Sequence, residues 1–172
     1  MRKIMNILNN REQCNFVVVD EATNTNQSDS IELEKAIRPI VENINTNIFG
    51  FRLNGANDSV IKSLQQNDRG EFDWQNHSPI GLNDSHGFCS LGPSVHWNKL
   101  TVILVLTEPK DYEGGEISLI EPGQAIDCCV KTFKLEEKSI LVMPSFIEYK
   151  IHGVTSGIAR YLITQYKGPR WS

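Results

Sequence analysis

The stretch KLTVILVLTEPKDYEGGEISLI, Lys99 to Ile120, decides the fold. Thr101 to Leu106 has the length of a strand and is apolar on both of its faces. Val102, Leu104 and Leu106 point one way, and Thr101, Ile103 and Val105 the other. A strand apolar on both sides is expected to lie between two layers, one face turned into a barrel and the other toward a helix layer. Gly114 and Gly115 then permit a turn or bulge with positive φ, and Glu116 opens a further β run through Ile120. Taken by itself, the segment also suits an ordinary hairpin.

The same short-strand grammar extends on both sides. Ile48 to Leu53, Val60 to Leu64, Cys128 to Phe133, Ser139 to Val142, Ile147 to Ile151 and Tyr161 to Tyr166 are short apolar or alternating runs separated by Gly, Pro, Asn and Asp. Upstream, Phe16-Val17-Val18-Val19 reads as a strand at a sheet edge. Asp29 or Ser30 reads as the cap of an amphipathic helix carrying Ile31, Ile37, Ile40, Val41 and Ile44. Pro39 is expected to kink or split that helix, because it lacks an N–H and crowds the preceding turn. One helix followed by seven or eight short strands predicts a mostly β jelly roll, a double-stranded β-helix of two antiparallel sheets with helical support. The long irregular segment from Asn76 to Asn98 is expected to be a functional loop.

A chain of 172 residues fits one domain, 1–172, with residues 1–47 as the strand and helix support and 48–171 as the β core. The net charge of −4 and the absence of a basic cluster argue against nucleic acid as a partner. No apolar run approaches membrane-spanning length, and the N-terminal residues lack the apolar core of a signal peptide, so a soluble cytoplasmic protein is expected. Cys14, Cys89, Cys128 and Cys129 show no C-x-x-C spacing, which fits reduced thiols.

The order of residues from Lys99 to Ile120, a basic-Leu-Thr strand, an acidic-Tyr-Glu turn and Gly-Gly-Glu opening the next strand, resembles the central part of the prolyl-4-hydroxylase-type 2-oxoglutarate/Fe(II) dioxygenases. Three further segments carry the resemblance over roughly residues 35–171. Gly70-Glu71-Phe72-Asp73-Trp74 resembles the approach to the family's His-x-Asp iron motif. Met143 to Gly157 resembles the strand bearing the second iron histidine, and Ile158 to Trp171 the strand bearing the oxoglutarate-binding arginine. The resemblance implies a jelly roll in which two histidines and a carboxylate hold Fe(II), leaving positions open for oxoglutarate and O₂.

The chemical positions depart from that pattern. Anchored on Asp73-Trp74, the His-x-Asp motif falls on Gln75-Asn76-His77, and the chain contains no His-x-Asp or His-x-Glu anywhere. Aligned without gaps from Pro144 to Pro169, Tyr149 stands where the second histidine belongs and Ala159 where the arginine belongs. The family-equivalent cavity positions are then Gln75, His77, Tyr149 and Ala159. A second alignment, with a bulge, places His152 as the distal ligand and Arg160 as the oxoglutarate-binding cation, with His77, Asp84 or His86 as displaced metal ligands. His77, His86, Asp84 and His152 also have an ordinary reading as loop or surface residues.

Three functions follow. In the first, the fold is kept while Fe(II)/oxoglutarate chemistry is lost; no catalytic residue and no cofactor are then expected, and the chain serves as a binding or structural module for a protein partner or for self-assembly. The Asn-rich, small form of the chain suits a phage-borne or bacterial member of the family it resembles, a phage-borne one serving as a virion component. In the alternative, Fe(II) and 2-oxoglutarate are bound and the chain hydroxylates a protein or peptide side chain. A cupin-like metal protein with other chemistry is a third, less supported by so few histidines.

Overall fold

The computed structural model describes residues 4–5, 16–23, 29–65, 74–75, 97–120 and 130–169. In chain order the elements are β1 (Ile4–Met5), β2 (Val17–Val19), α1 (Ser30–Ile44), β3 (Gly55–Gln65), β4 (Trp97–Val105), β5 (Tyr112–Gly114), β6 (Ile117–Ile120), β7 (Val130–Phe133), β8 (Ile140–Pro144), β9 (Tyr149–Ile151) and β10 (Val154–Gly168).

α1 starts where its cap predicts. Asp29 has extended backbone, and its carboxylate accepts the Ile31 N–H at 2.9 Å. Leu33, Ile37, Val41 and Ile44 form the buried stripe. Pro39 does not split the helix, which runs unbroken from Ser30 through Ile44. Pro39 and Lys35, whose carbonyl loses its donor, are both exposed, so water can take the missing bond. The expected strand Ile48 to Leu53 is also absent. The helix instead widens into a π turn over Asn45–Phe49, ended by Gly50 at φ 69°. The Asn45 side chain then holds the next segment, donating to the Phe51 carbonyl at 2.8 Å and accepting the Phe51 N–H at 3.0 Å. Phe51 and Leu53 are half-buried around exposed Arg52, which gives strand-like alternation without strand pairing.

The major sheet has the order β1-β2-β8-β4-β10-β3, with β5 paired to one end of β10; the minor sheet has the order β7-β6-β9, and every pairing is antiparallel. Neighbours far apart in sequence, such as β2 with β8 and β10 with β3, make this a jelly roll with a helix on one face. β5, read in the sequence as a turn, exists because glycines let it approach β10. Gly114 has φ 80°, and a Cβ there would stand 2.2 Å from the Gly153 carbonyl oxygen.

The two faces of β4 go to two cores. Val102 and Leu104 pack with Leu33, Ile37 and Val41 under the helix. Ile103 and Val105 face the minor sheet, with Leu141, Met143, Ile117, Leu119, Tyr149 and Tyr161. At one side of the barrel the Phe16 ring stacks on Phe133, centroids 5.7 Å apart.

Candidate functional site: the barrel interior

Gln75 and Tyr149 meet directly. Each donates its backbone N–H to the other's carbonyl oxygen at 2.9 Å, an antiparallel bridge that extends the minor sheet beyond β9. Residues directly opposite in such a pair share a face. Tyr149, paired on its other side with Leu119, is fully buried in the interior core. The Gln75 amide nitrogen is buried and has no hydrogen-bond partner among the described residues. On the facing sheet Ala159 lies opposite Leu64, also fully buried and in the same core. Gln75, Tyr149 and Ala159 therefore line the barrel's inner walls, whereas His77, Asp84 and His86 lie outside the described residues.

Between these walls stand Ile103, Met143, Ile147, Tyr161 and Ile163. The Tyr161 hydroxyl donates to the Gly115 carbonyl at 2.8 Å, tying β10 to the glycine turn. Burial pushes the Tyr149 phenol well above the ordinary tyrosine range. Burial, reinforced by a hydrogen bond with Tyr112, does the same for Tyr161. Both stay neutral at any physiological pH. An amide, an un-ionised phenol and a methyl group are what these three positions offer. They include no imidazole, no anionic oxygen for a divalent cation and no cation for a carboxylate. Among the described residues no group of three or more His, Cys, Asp or Glu is placed to hold a metal ion.

His152 and Arg160 stand elsewhere. His152 follows inward-facing Ile151, and its Nε2 lies 2.7 Å from the Ser118 hydroxyl, which is 2.6 Å from that of Thr132. Ser118 alternates with inward Ile117 and Leu119, so this chain of hydroxyls and imidazole crosses the outer face of the minor sheet. Arg160 sits between inward Ala159 and Tyr161, on the same face as Leu162 of the helix-side core. The two residues are thus on outer faces of opposite sheets and are not brought together.

Two features carried no signal in the sequence. Glu34, 3% exposed on α1, accepts from the Tyr166 hydroxyl at 2.8 Å and from Arg38 Nε at 2.9 Å. Burial alone would raise its carboxyl, but Arg38 and Tyr166 outweigh this and hold it below the usual carboxylate range. An open cleft of about 780 Å³ is lined by Asp20, Glu21, Glu108, Glu136 and Glu137, with Lys110 at its side. Its acids come from three separate segments, which composition cannot bring together.

The likeness to solved structures follows this geometry. A prolyl hydroxylase from Trichoplax adhaerens, solved with a hypoxia inducible factor peptide fragment, superposes with a TM-score of 0.57 at 11% identity over 88% of this chain and 62% of that one. A prolyl 4-hydroxylase from Phytophthora capsici gives 0.55 at 14% identity, covering 91% and 59%. A viral collagen prolyl hydroxylase from Paramecium Bursaria Chlorella virus-1 gives 0.53 at 11% identity, covering 81% and 74%. The chain thus has the jelly-roll fold of the prolyl-4-hydroxylase-like 2-oxoglutarate/Fe(II) oxygenases. In sequence it is similar to a PKHD-type hydroxylase from Gloeothece citriformis, 37% identical over 67 residues. That match takes in 39% of this chain and only 28% of the relative. No family model matches the chain. No helix among the described residues is long and apolar enough to cross a membrane.

Proposed function

We propose that this chain keeps the dioxygenase fold without its Fe(II)/oxoglutarate chemistry and acts as a binding or structural module, with a protein partner or further copies of itself. The observation that carries this reading is the packing of Tyr149 and Ala159. Both are fully buried among apolar side chains, and Tyr149 is bridged to Gln75. A site evolved to admit a metal, a diacid and O₂ keeps polar donors and open space. Here the corresponding walls close on each other as core.

The alternative, a hydroxylase of a protein or peptide side chain, is favoured by the similarity to the PKHD-type hydroxylase. Its expected ligand His152 and cation Arg160 face away from one another, which weighs against it. The deciding experiment is metal analysis after anaerobic purification, combined with an optical titration by Fe(II) and oxoglutarate. The module reading expects no stoichiometric metal and no metal-to-oxoglutarate charge-transfer band. Stoichiometric iron together with that band and oxoglutarate turnover would establish the hydroxylase instead.

A further inference from the structure

We propose that Asn54-Gly55 is a self-modification site, at which the Asn54 side-chain amide converts without an enzyme into isoaspartate and aspartate. The proposal is independent of the reading of the barrel interior. After the left-handed Gly50 the chain leaves the helix layer and reaches the sheet at this dipeptide, Gly55 being the first residue of β3. Both residues are exposed. The Asn54 N–H donates to the Lys167 carbonyl of β10 at 2.7 Å. Among the described residues β3 pairs with β10 alone, which puts the dipeptide at the start of an edge strand.

Two properties of Gly55 keep the dipeptide unhindered. Among the described residues, its two chain neighbours aside, no atom lies within 4 Å of the place a Cβ would occupy. Its φ of 115° is one that side-chain-bearing residues rarely adopt, which holds the position to the least hindered residue. As the first residue of an edge strand it lies where local opening is easiest, and that opening lets the side-chain carbonyl reach the nitrogen.

In the reaction the deprotonated Gly55 backbone nitrogen attacks Cγ of Asn54, forming an N–Cγ bond. The tetrahedral intermediate collapses with cleavage of Cγ–Nδ2. The departing NH₂ takes up one proton, equivalent to the one lost by the Gly55 amide, and leaves as ammonia, closing a succinimide. Water, the one co-reactant, then opens the ring at either carbonyl. Opening at the main-chain carbonyl gives isoaspartate, with an added methylene in the backbone, and opening at Cγ gives aspartate. Either product adds one negative charge to a chain of net charge −4. The added methylene falls two residues after Arg52, whose carbonyl oxygen sits so close to Gly168 that a Cβ there would be 1.9 Å away. Isoaspartate is therefore expected to loosen the start of β3 from the end of β10.

The test is to age the full chain in neutral and in mildly alkaline buffer and map its peptides by chromatography and mass spectrometry. Parallel samples are a urea-unfolded chain and the Asn54→Gln variant, whose longer side chain disfavours ring closure. The proposal expects the native peptide containing Asn54 to gain the mass of an amide-to-acid exchange and to split into two isomers. It also expects a rate that rises with pH, and no new species in Asn54→Gln. Conversion confined to the urea sample, or an unchanged native Asn54 amide after the unfolded chain has fully converted, would overturn it.

Discussion

Replacing Ala159 with arginine restores the cation that the family resemblance expects at this position, and it separates a packed wall from a cofactor pocket. If the interior is core, the change is severe. Ala159 is fully buried opposite Leu64, in a cluster with Tyr149, Tyr161 and Ile163, all 5% exposed or less. Forcing extra volume into such packing costs about 1–3 kcal/mol. Burying a guanidinium with no carboxylate partner adds roughly 3 kcal/mol or more, even after relaxation and water penetration. The sum, on the order of 4–6 kcal/mol, is a large share of the ~5–15 kcal/mol by which domains are stable. Urea unfolding followed by circular dichroism should show a sharply lowered midpoint or a failure to fold. Arg160→Ala, one residue along on the opposite face, is expected to cost less than about 1 kcal/mol, as changes away from the core do. The reasoning is refuted if Ala159→Arg unfolds at the wild-type midpoint and oxoglutarate raises that midpoint further, because arginine would then have found space and a ligand.

Removing the buried, unpartnered amide by Gln75→Leu should raise stability by about 1–3 kcal/mol, read as a higher urea midpoint; a lower midpoint would mean that the amide has a partner. Tyr166→Phe deletes a donor to the buried Glu34 carboxylate and should cost about 1.5–3 kcal/mol at neutral pH. Because Glu34 is held below its ordinary value, its contribution is present above the unfolded carboxyl's pKa and is lost as pH falls through the lower folded value, so the wild-type minus Tyr166→Phe difference should shrink in acid. All four tyrosines, Tyr112, Tyr149, Tyr161 and Tyr166, are raised above 10.0, chiefly by burial. Their contribution to stability is complete below pH 10 and falls above it by up to about 1.4 kcal/mol per pH unit for each tyrosine, until the pH passes that tyrosine's folded value. Tyrosinate absorbance should therefore appear together with alkaline unfolding rather than ahead of it.

The elements the sequence revealed are those whose own residues decide them. Both faces of Val102 to Val105 are apolar, so a strand between two layers was legible, and Asp29 marked the helix start through a local hydrogen bond. What stayed hidden depends on neighbours distant in the chain. Phe49, Phe51 and Leu53 alternate like a strand, yet Asn45 folds them under the helix. Pro39 is tolerated only because the helix face it occupies meets water. β5 depends on the contact of Gly114 with Gly153. At the candidate site, alignment put Gln75 and Tyr149 at corresponding positions, but only the backbone bridge shows that they touch. Ala159 and Arg160 differ by one step along a strand, and the pleat alone decides which of them faces the interior.

The central claim is that the barrel interior is core where oxygenases of this fold bind their metal and diacid. Calorimetric titration of the purified chain with Mn(II), which stands in for Fe(II) without its oxidation, and then with 2-oxoglutarate tests it most directly. The account predicts no binding heat for either ligand up to millimolar concentration. Micromolar binding of both, lost in His152→Ala and Arg160→Ala but kept in Tyr149→Phe, would contradict it.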